Sequence, residues 1–102
     1  MIRITPPVHP GEILREEFLV PLGLSSYALS KAIDVPRTRI ERLAHEKTAM
    51  TPDTALRLAR YFGTTAEFWL NLQVGYDLAH EEAEKRAAIA AIRPRTREMK
   101  AA

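Results

Sequence analysis

The chain has 102 residues, 46% of them hydrophobic and 27% charged, a net charge of +2 and no cysteine. That length suits one domain around a single core, and the lack of thiols excludes disulfides and thiolate metal sites, so a reducing, cytoplasmic setting is expected. No apolar run approaches a membrane span and the first residues lack a signal peptide's apolar stretch, so no membrane partner is expected.

Residues 1–8 read as a short N-terminal arm. Ile2-Arg3-Ile4 could add a strand to something, but Pro6-Pro7 keeps it short. His9-Pro10-Gly11 leads into a first helix with Ile13, Leu14, Phe18 and Leu19 as its apolar stripe. Glu12, Glu16 and Glu17 lie in its early turns, where the helix dipole favours carboxylates. Pro21 and Gly23 are expected to end it.

Ser25 to Lys47 reads as two short helices joined by a tight turn, the layout of a helix-turn-helix. Ser25 has the chemistry of an N-cap. Leu29 and Ile33 lie four apart and face one way, with Ala28 and Ala32 beside them as small residues for a close helix crossing. Asp34 tolerates the left-handed turn conformation, and Val35 plugs the corner. Pro36 opens the second helix, with Ile40 and Leu43 as its buried line.

The exposed face of that second helix is then Arg37, Thr38, Glu41 and Arg42, flanked by Arg39. An arginine can grip guanine O6 and N7 with two parallel bonds, and a threonine methyl can touch a thymine methyl. Arg37, Thr38 and Arg42 are therefore the candidates for base contact. Ser26, at the positive end of the first helix of the pair, is a candidate for phosphate contact, with Arg39, His45 and Lys47. The competing reading is a helical bundle with a solvated basic face. Glu41 leans that way, since a carboxylate repels phosphate, although it can accept from a cytosine amine.

After a loop at Thr48-Ala49-Met50, Thr51 caps a fourth helix with Pro52 at its first position. Ala55, Leu56, Leu58, Ala59 and Phe62 form its apolar face, and Gly63 closes it. Thr64 and Glu67 have capping-box spacing and open a fifth helix. Phe68, Trp69, Leu70 and Leu72 exceed one apolar stripe, so Trp69, Leu72 and Tyr76 are candidates for a contact with a second copy of the chain; the competing reading is that they complete the monomer core, and for Phe68 and Trp69 that reading is favoured. Gly75-Tyr76 is expected to break or kink that helix, and the core is expected to span residues 10–76. A C-terminal helix is expected over residues 78–92, with Glu81/Lys85 and Glu82/Arg86 four apart in the favourable order. Pro94 ends it, and 93–102 reads as a basic tail carrying Arg93, Arg95, Arg97 and Lys100.

Nothing points to an enzyme, a cofactor or a metal. His9, His45 and His80 are far apart and none has an acidic or thiol companion at metal-ligand spacing, apart from a surface-type His80/Glu84 pair. There is no glycine-rich phosphate loop.

Five segments together resemble the HigA-type antitoxins of type II toxin–antitoxin modules, within the Xre/Cro helix-turn-helix group: HPGEILREEF at 9–18, PLGLS at 21–25, the helix-turn-helix itself, TPDTALRLARYFGT at 51–64 and AEFWLNLQVGYDL at 66–78. The resemblance implies an all-α, five-helix, lambda-repressor-like bundle with a C-terminal helical extension. It implies a homodimer on a palindromic double-stranded operator in its own promoter. It also implies a HigB-like toxin partner, a small RelE-like mRNA endoribonuclease that the antitoxin neutralises by complex formation. By position, the family's base contacts fall on Arg37, Thr38 and Arg42, and its phosphate contacts on Ser26, His45 and Lys47. Two departures stand out: Pro36 replaces a usual Ser or Thr, and His45-Glu46 replaces a usual Asn-Gly. Since such toxins are basic, the acidic first helix, with Glu12, Glu16 and Glu17, is the expected toxin contact, ahead of the acidic segment Asp77, Glu81, Glu82 and Glu84. The alternatives are a stand-alone repressor without a toxin and a protein-only adaptor.

Overall fold

The computed structural model describes residues 7–96, and all regular structure among them is helical. The strand expected at Ile2–Ile4 and the tail cations Arg97 and Lys100 lie outside the described residues. The first helix, α1, is continuous but changes its winding. It is α-helical over Pro10–Ile13, π-helical over Leu14–Leu19 and α-helical again over Val20–Leu22. Pro21 therefore lies inside the helix, and only Gly23, at φ 60°, ends it. A proline ring crowds the carbonyl four residues back and removes a donor. The wide π turn immediately upstream is where this helix accommodates that crowding.

The helix-turn-helix follows as α2 (Ser26–Ile33) and α3 (Arg37–Ala44). The Ser25 hydroxyl accepts from the Ala28 N–H at 3.0 Å, as the sequence requires. Asp34 adopts φ 59°, so the turn is left-handed with a non-glycine residue. Pro36 is the N-cap of α3 rather than its first residue, and it makes no side-chain cap bond. Ala28 and Ala32 are exposed, so they are not the crossing point of the two helices; a close backbone approach is found instead at Gly11, between α1 and α3.

α4 (Pro52–Phe62) starts on a Thr51 cap and ends on Gly63 at φ 75°. Leu56 faces solvent despite its place in the apolar stripe; the buried side of α4 is Thr54, Ala55 and Leu58. α5 runs without interruption over Ala66–Glu84, and Arg86–Ala90 forms a short α6. The break expected at Gly75-Tyr76 is therefore absent, and residues 78–84 belong to α5. Glycine costs a helix interior about 1 kcal/mol, less than the burial of Trp69 and Leu72 on the same helix contributes at about 1.5–3 kcal/mol each. The cap of α5 is Thr65, which accepts from the Phe68 N–H at 3.0 Å. Thr64 serves instead as acceptor for the Trp69 indole N–H at 2.8 Å.

One core joins all the helices from α1 to α5. Leu14, Leu29, Ile40, Leu43, Leu58 and Trp69 are fully or almost fully buried in it. Trp69 has the Phe18 ring at 5.2 Å and the Phe68 ring at 5.0 Å between centroids. No helix among the described residues is long and apolar enough to cross a membrane.

Candidate nucleic-acid interface

Burial of Ile40, Leu43 and Ala44 fixes the rotation of α3 and turns Arg37, Thr38 and Arg42 outward. All three candidate base contacts are exposed and share one helix face. Glu41, on the same face, is half-buried and lies 3.4 Å from the Arg37 guanidinium across one turn. It orients an arginine rather than presenting a lone carboxylate to phosphate.

The candidate phosphate contacts flank this row. Ser26 is the first residue of α2 and half-buried. His45 is the C-cap of α3, and its Nδ1 lies 2.8 Å from the Glu41 carbonyl. A carbonyl only accepts, so Nδ1 carries the proton in this contact. Lys47 is exposed, and its N–H donates to the Arg42 carbonyl at 2.8 Å. Between them Glu46 adopts φ 63°. The turn after α3 thus keeps a left-handed geometry without the glycine that the resemblance leads one to expect. Arg39 departs from expectation: its guanidinium donates to the Asp53 carboxylate at 2.6 Å instead of standing free for a phosphate.

Two arginines from other helices pin the chain on either side of α3, one at the turn before it and one at its C-terminal end. Arg15 of α1 donates to the Ala44 carbonyl and lies 3.3 Å from the Glu46 carboxylate. Arg57 of α4 donates to the carbonyls of Ile33 at 2.9 Å and Asp34 at 3.2 Å, and pairs with Asp53 at 3.1 Å. Gly11 brings the head of α1 against the backbone of α3: a Cβ there would fall 1.8 Å from the Leu43 carbonyl oxygen. Asp53 and Arg57 have i,i+4 spacing, a local signal that the sequence reading left unused. The long-range partners of Arg15, Arg57 and Gly11 carry no local signal.

His9 is a second element that the sequence did not assign. It is buried, and its Nδ1 accepts from the Gly11 N–H at 2.9 Å, capping α1. It also hydrogen-bonds the Thr48 backbone, and its ring meets Tyr76 edge-on at 4.9 Å. Burial pushes its imidazole below the ordinary value, only partly opposed by Glu46, the Thr48 bond and Asp77. Nearby, Gln73 accepts from the Met50 N–H at 2.7 Å and donates to Asp77 at 2.9 Å, tying α5 to the loop that follows α3.

Trp69 has no exposed surface and Leu72 is buried, so neither side chain has an apolar face left for a second copy; Tyr76 is half-buried between His9 and His80. Glu16 and Glu17 are exposed, Glu16 pairing with Arg15 at 2.8 Å, while Glu12 is half-buried. Among the described residues no cluster of ligating side chains could hold a metal ion.

The helix-turn-helix family model matches residues 14–69. The solved structure of Pseudomonas aeruginosa antitoxin HigA with the higBA promoter superposes with a TM-score of 0.84 at 42% identity, over 88% of this chain and 99% of that one. The chain belongs to the HigA-type antitoxins of the Xre helix-turn-helix group. Antitoxin HigA-1 of Vibrio cholerae is 43% identical over 72 residues, 71% of this chain and 68% of that protein. Virulence-associated protein I of Dichelobacter nodosus is 54% identical over 82 residues, 80% of this chain and 76% of that protein. This is a family of DNA-binding antitoxins and transcriptional regulators, not of enzymes. The HigA-type chain has the same all-α bundle, and its C-terminal extension is the long end of α5 together with α6.

Proposed function

We infer that this HigA-type chain binds an operator in its own promoter as a homodimer, represses its operon and neutralises a HigB-like endoribonuclease toxin. The observation that carries the DNA part is the outward row Arg37, Thr38 and Arg42 on a helix pinned at its C-terminal end and at the turn before it. Arg37 and Arg42 read base edges, Thr38 meets a thymine methyl, and Ser26, His45 and Lys47 hold phosphates. A second copy one DNA turn away, about 34 Å, covers the other half-site. Its contact is assigned to exposed apolar residues past the core-facing part of α5, Val74 and Leu78, continued by Ile89.

The toxin is assigned to the outer face of α1, where Glu16 and Glu17 offer carboxylates to a basic partner. Glu12 contributes less because it is half-buried. The test is co-expression with the neighbouring gene. Growth rescue, co-purification and a footprint on the shared promoter support the reading. Charge reversal at Glu16 and Glu17 lowers toxin affinity and spares operator binding. Unchanged neutralisation by that variant, with loss on truncation after Tyr76, moves the toxin contact to the C-terminal helices.

A further inference from the structure

Asp53 occupies an unusual place. It sits in the first turn of α4, on the wall between two clefts. The larger cleft, about 660 Å³, lies between the turn of the helix-turn-helix and α4, with Ile33, Asp34 and Arg57 along it. The smaller, about 260 Å³, separates α3 from the start of α4, with Arg39, Leu43, Thr48 and Ala49 on its other walls. The two carboxylate oxygens of Asp53 serve different arginines: Oδ2 accepts from Arg39 at 2.6 Å, and Oδ1 from Arg57 at 3.1 Å. Arg57 is also anchored on two backbone carbonyls of the turn, whereas the Arg39 guanidinium, among the described residues, bonds to Asp53 alone.

These contacts sort the cations of the interface. Arg37 and Arg42 point outward from α3, and Lys47 is exposed beyond it. Arg39 is on the same helix and its cleft includes Thr48, the residue after Lys47. It is long enough and charged enough to add one more phosphate contact, and only the carboxylate beside it stands in the way. Phosphate contacts raise affinity for every sequence alike, whereas base contacts discriminate. Specificity is a difference between affinities, so it gains when a cation with no base to read is withheld from the backbone. Hydrogen bonds from Arg57 and Arg39 hold the Asp53 carboxyl below its usual range, so the withholding charge is present at neutral pH.

We propose that Asp53 is a specificity-determining residue that keeps Arg39 off the DNA backbone and thereby suppresses binding to non-operator sequences. The proposal rests on the DNA-binding reading. It assigns Asp53 no contact with DNA; the residue acts through Arg39.

The test measures salt dependence of binding to two labelled duplexes, one carrying the chain's own promoter region and one of unrelated sequence. Asp53→Asn is isosteric and removes the charge. Each phosphate contact adds about 0.9 to the slope of log affinity against log salt. The variant should therefore steepen the slope on unrelated DNA by about 0.9, so that a fourfold rise in salt costs it about 3.5-fold more affinity than the parent. Its preference for the promoter duplex should fall. The double variant Arg39→Gln/Asp53→Asn should restore the parental slope. Arg60→Gln/Asp53→Asn, which has the same net charge, should keep the steep slope, since among the described residues Asp53 bonds Arg39 and Arg57 and not Arg60.

An unchanged slope in Asp53→Asn overturns the proposal, whether affinity falls or not, because a purely structural role changes affinity without adding a phosphate contact. Equal restoration by the Arg60 double variant also overturns it, since long-range charge then explains the effect. Failure of the parent chain to bind either duplex overturns the DNA-binding reading itself and the proposal with it.

Discussion

Gly11→Ala tests how closely the head of α1 must approach the reading helix. An ideal Cβ on Gly11 lies 1.8 Å from the Leu43 carbonyl oxygen, 2.9 Å from its carbon and 3.1 Å from His9 Nδ1. The first two obstacles are backbone, so no side chain can swing aside. Ordinary contact begins near 3.4 Å, so α1 and α3 must part by about 1.6 Å. Forced separation of packed elements costs about 1–3 kcal/mol. It also strains the bond from Arg15 to the Ala44 carbonyl and the His9 cap, each worth about 1 kcal/mol. Alanine's better helix propensity returns about 1 kcal/mol. The net loss is about 2–4 kcal/mol, which lowers Tm by roughly 10–25 °C for a domain of this size. Gly75→Ala is the matched control, because a Cβ there meets nothing within 4 Å and the site is inside α5. It should gain about 0.5–1 kcal/mol. Thermal unfolding followed by circular dichroism at 222 nm reads both. A Tm for Gly11→Ala equal to or above that of the parent would refute the close-approach argument.

Arg42→Ala should lose about 1–3 kcal/mol of operator affinity and relax preference at one base position; unaltered affinity in a shift assay would remove Arg42 from the docking. Lys47→Ala should weaken binding to all sequences and flatten the salt slope by about 0.9; an unchanged slope would mean Lys47 touches no phosphate. His9 gives a pH signature. Its folded value is lowered by burial, so its contribution to stability is complete above the ordinary value of 6.5 and is lost as pH falls through that value toward the folded one; His9→Asn, which keeps a capping acceptor, should flatten Tm against pH in that window, and parallel profiles would contradict it. Asp34→Gly should stabilise by about 0.5–1 kcal/mol by relieving a left-handed residue, whereas Glu46→Gly should change little because it also removes a partner of Arg15; chemical denaturation giving equal gains would show that the Arg15–Glu46 pair contributes nothing.

Features set by neighbours in the chain were readable from the sequence, and features set by distant residues were not. Ser25, Thr51 and Gly63 do what their local chemistry implies, and Leu29, Ile33, Ile40, Leu43 and Leu58 are core as their spacing requires. Thr64 and Thr65 are adjacent hydroxyls that both fit a cap; the need of the buried Trp69 indole for an acceptor takes Thr64 and leaves Thr65 to the helix. Gly75 looked like a breaker because glycine weakens a helix. Local propensity could not foresee that Leu72 and Gln73, one turn earlier, are held by the core and by the Met50 N–H. The over-apolar run at Phe68–Leu72 left a second copy and the monomer core both open on composition alone; the core takes Trp69 and Leu72, with Phe18 of α1 against the indole. On the reading face, the outward turn of Arg37, Thr38 and Arg42 followed from periodicity. The diversion of Arg39 did not, because its partner is fourteen residues away.

These separations share a cause that bears on how α3 is presented. It is bracketed by two left-handed non-glycine residues, Asp34 before it and Glu46 after it. Each such residue disfavours its own turn, so neither turn holds α3 in place by propensity alone. Both turns are instead pinned from outside: Arg57 grips the carbonyls at Ile33 and Asp34, and Arg15 grips Ala44 and Glu46. The pins come from α4 and α1, helices on either side of the pair in sequence, and each uses a planar guanidinium that can hold two acceptors at once. The departure from Asn-Gly at 45–46 thus does not loosen the turn. It exchanges a local glycine preference for a tertiary contact, and the carboxylate that replaces glycine is itself one of the acceptors. A reading helix held this way depends on α1, through Arg15, for its C-terminal end, and on α4, through Arg57, for the turn that precedes it.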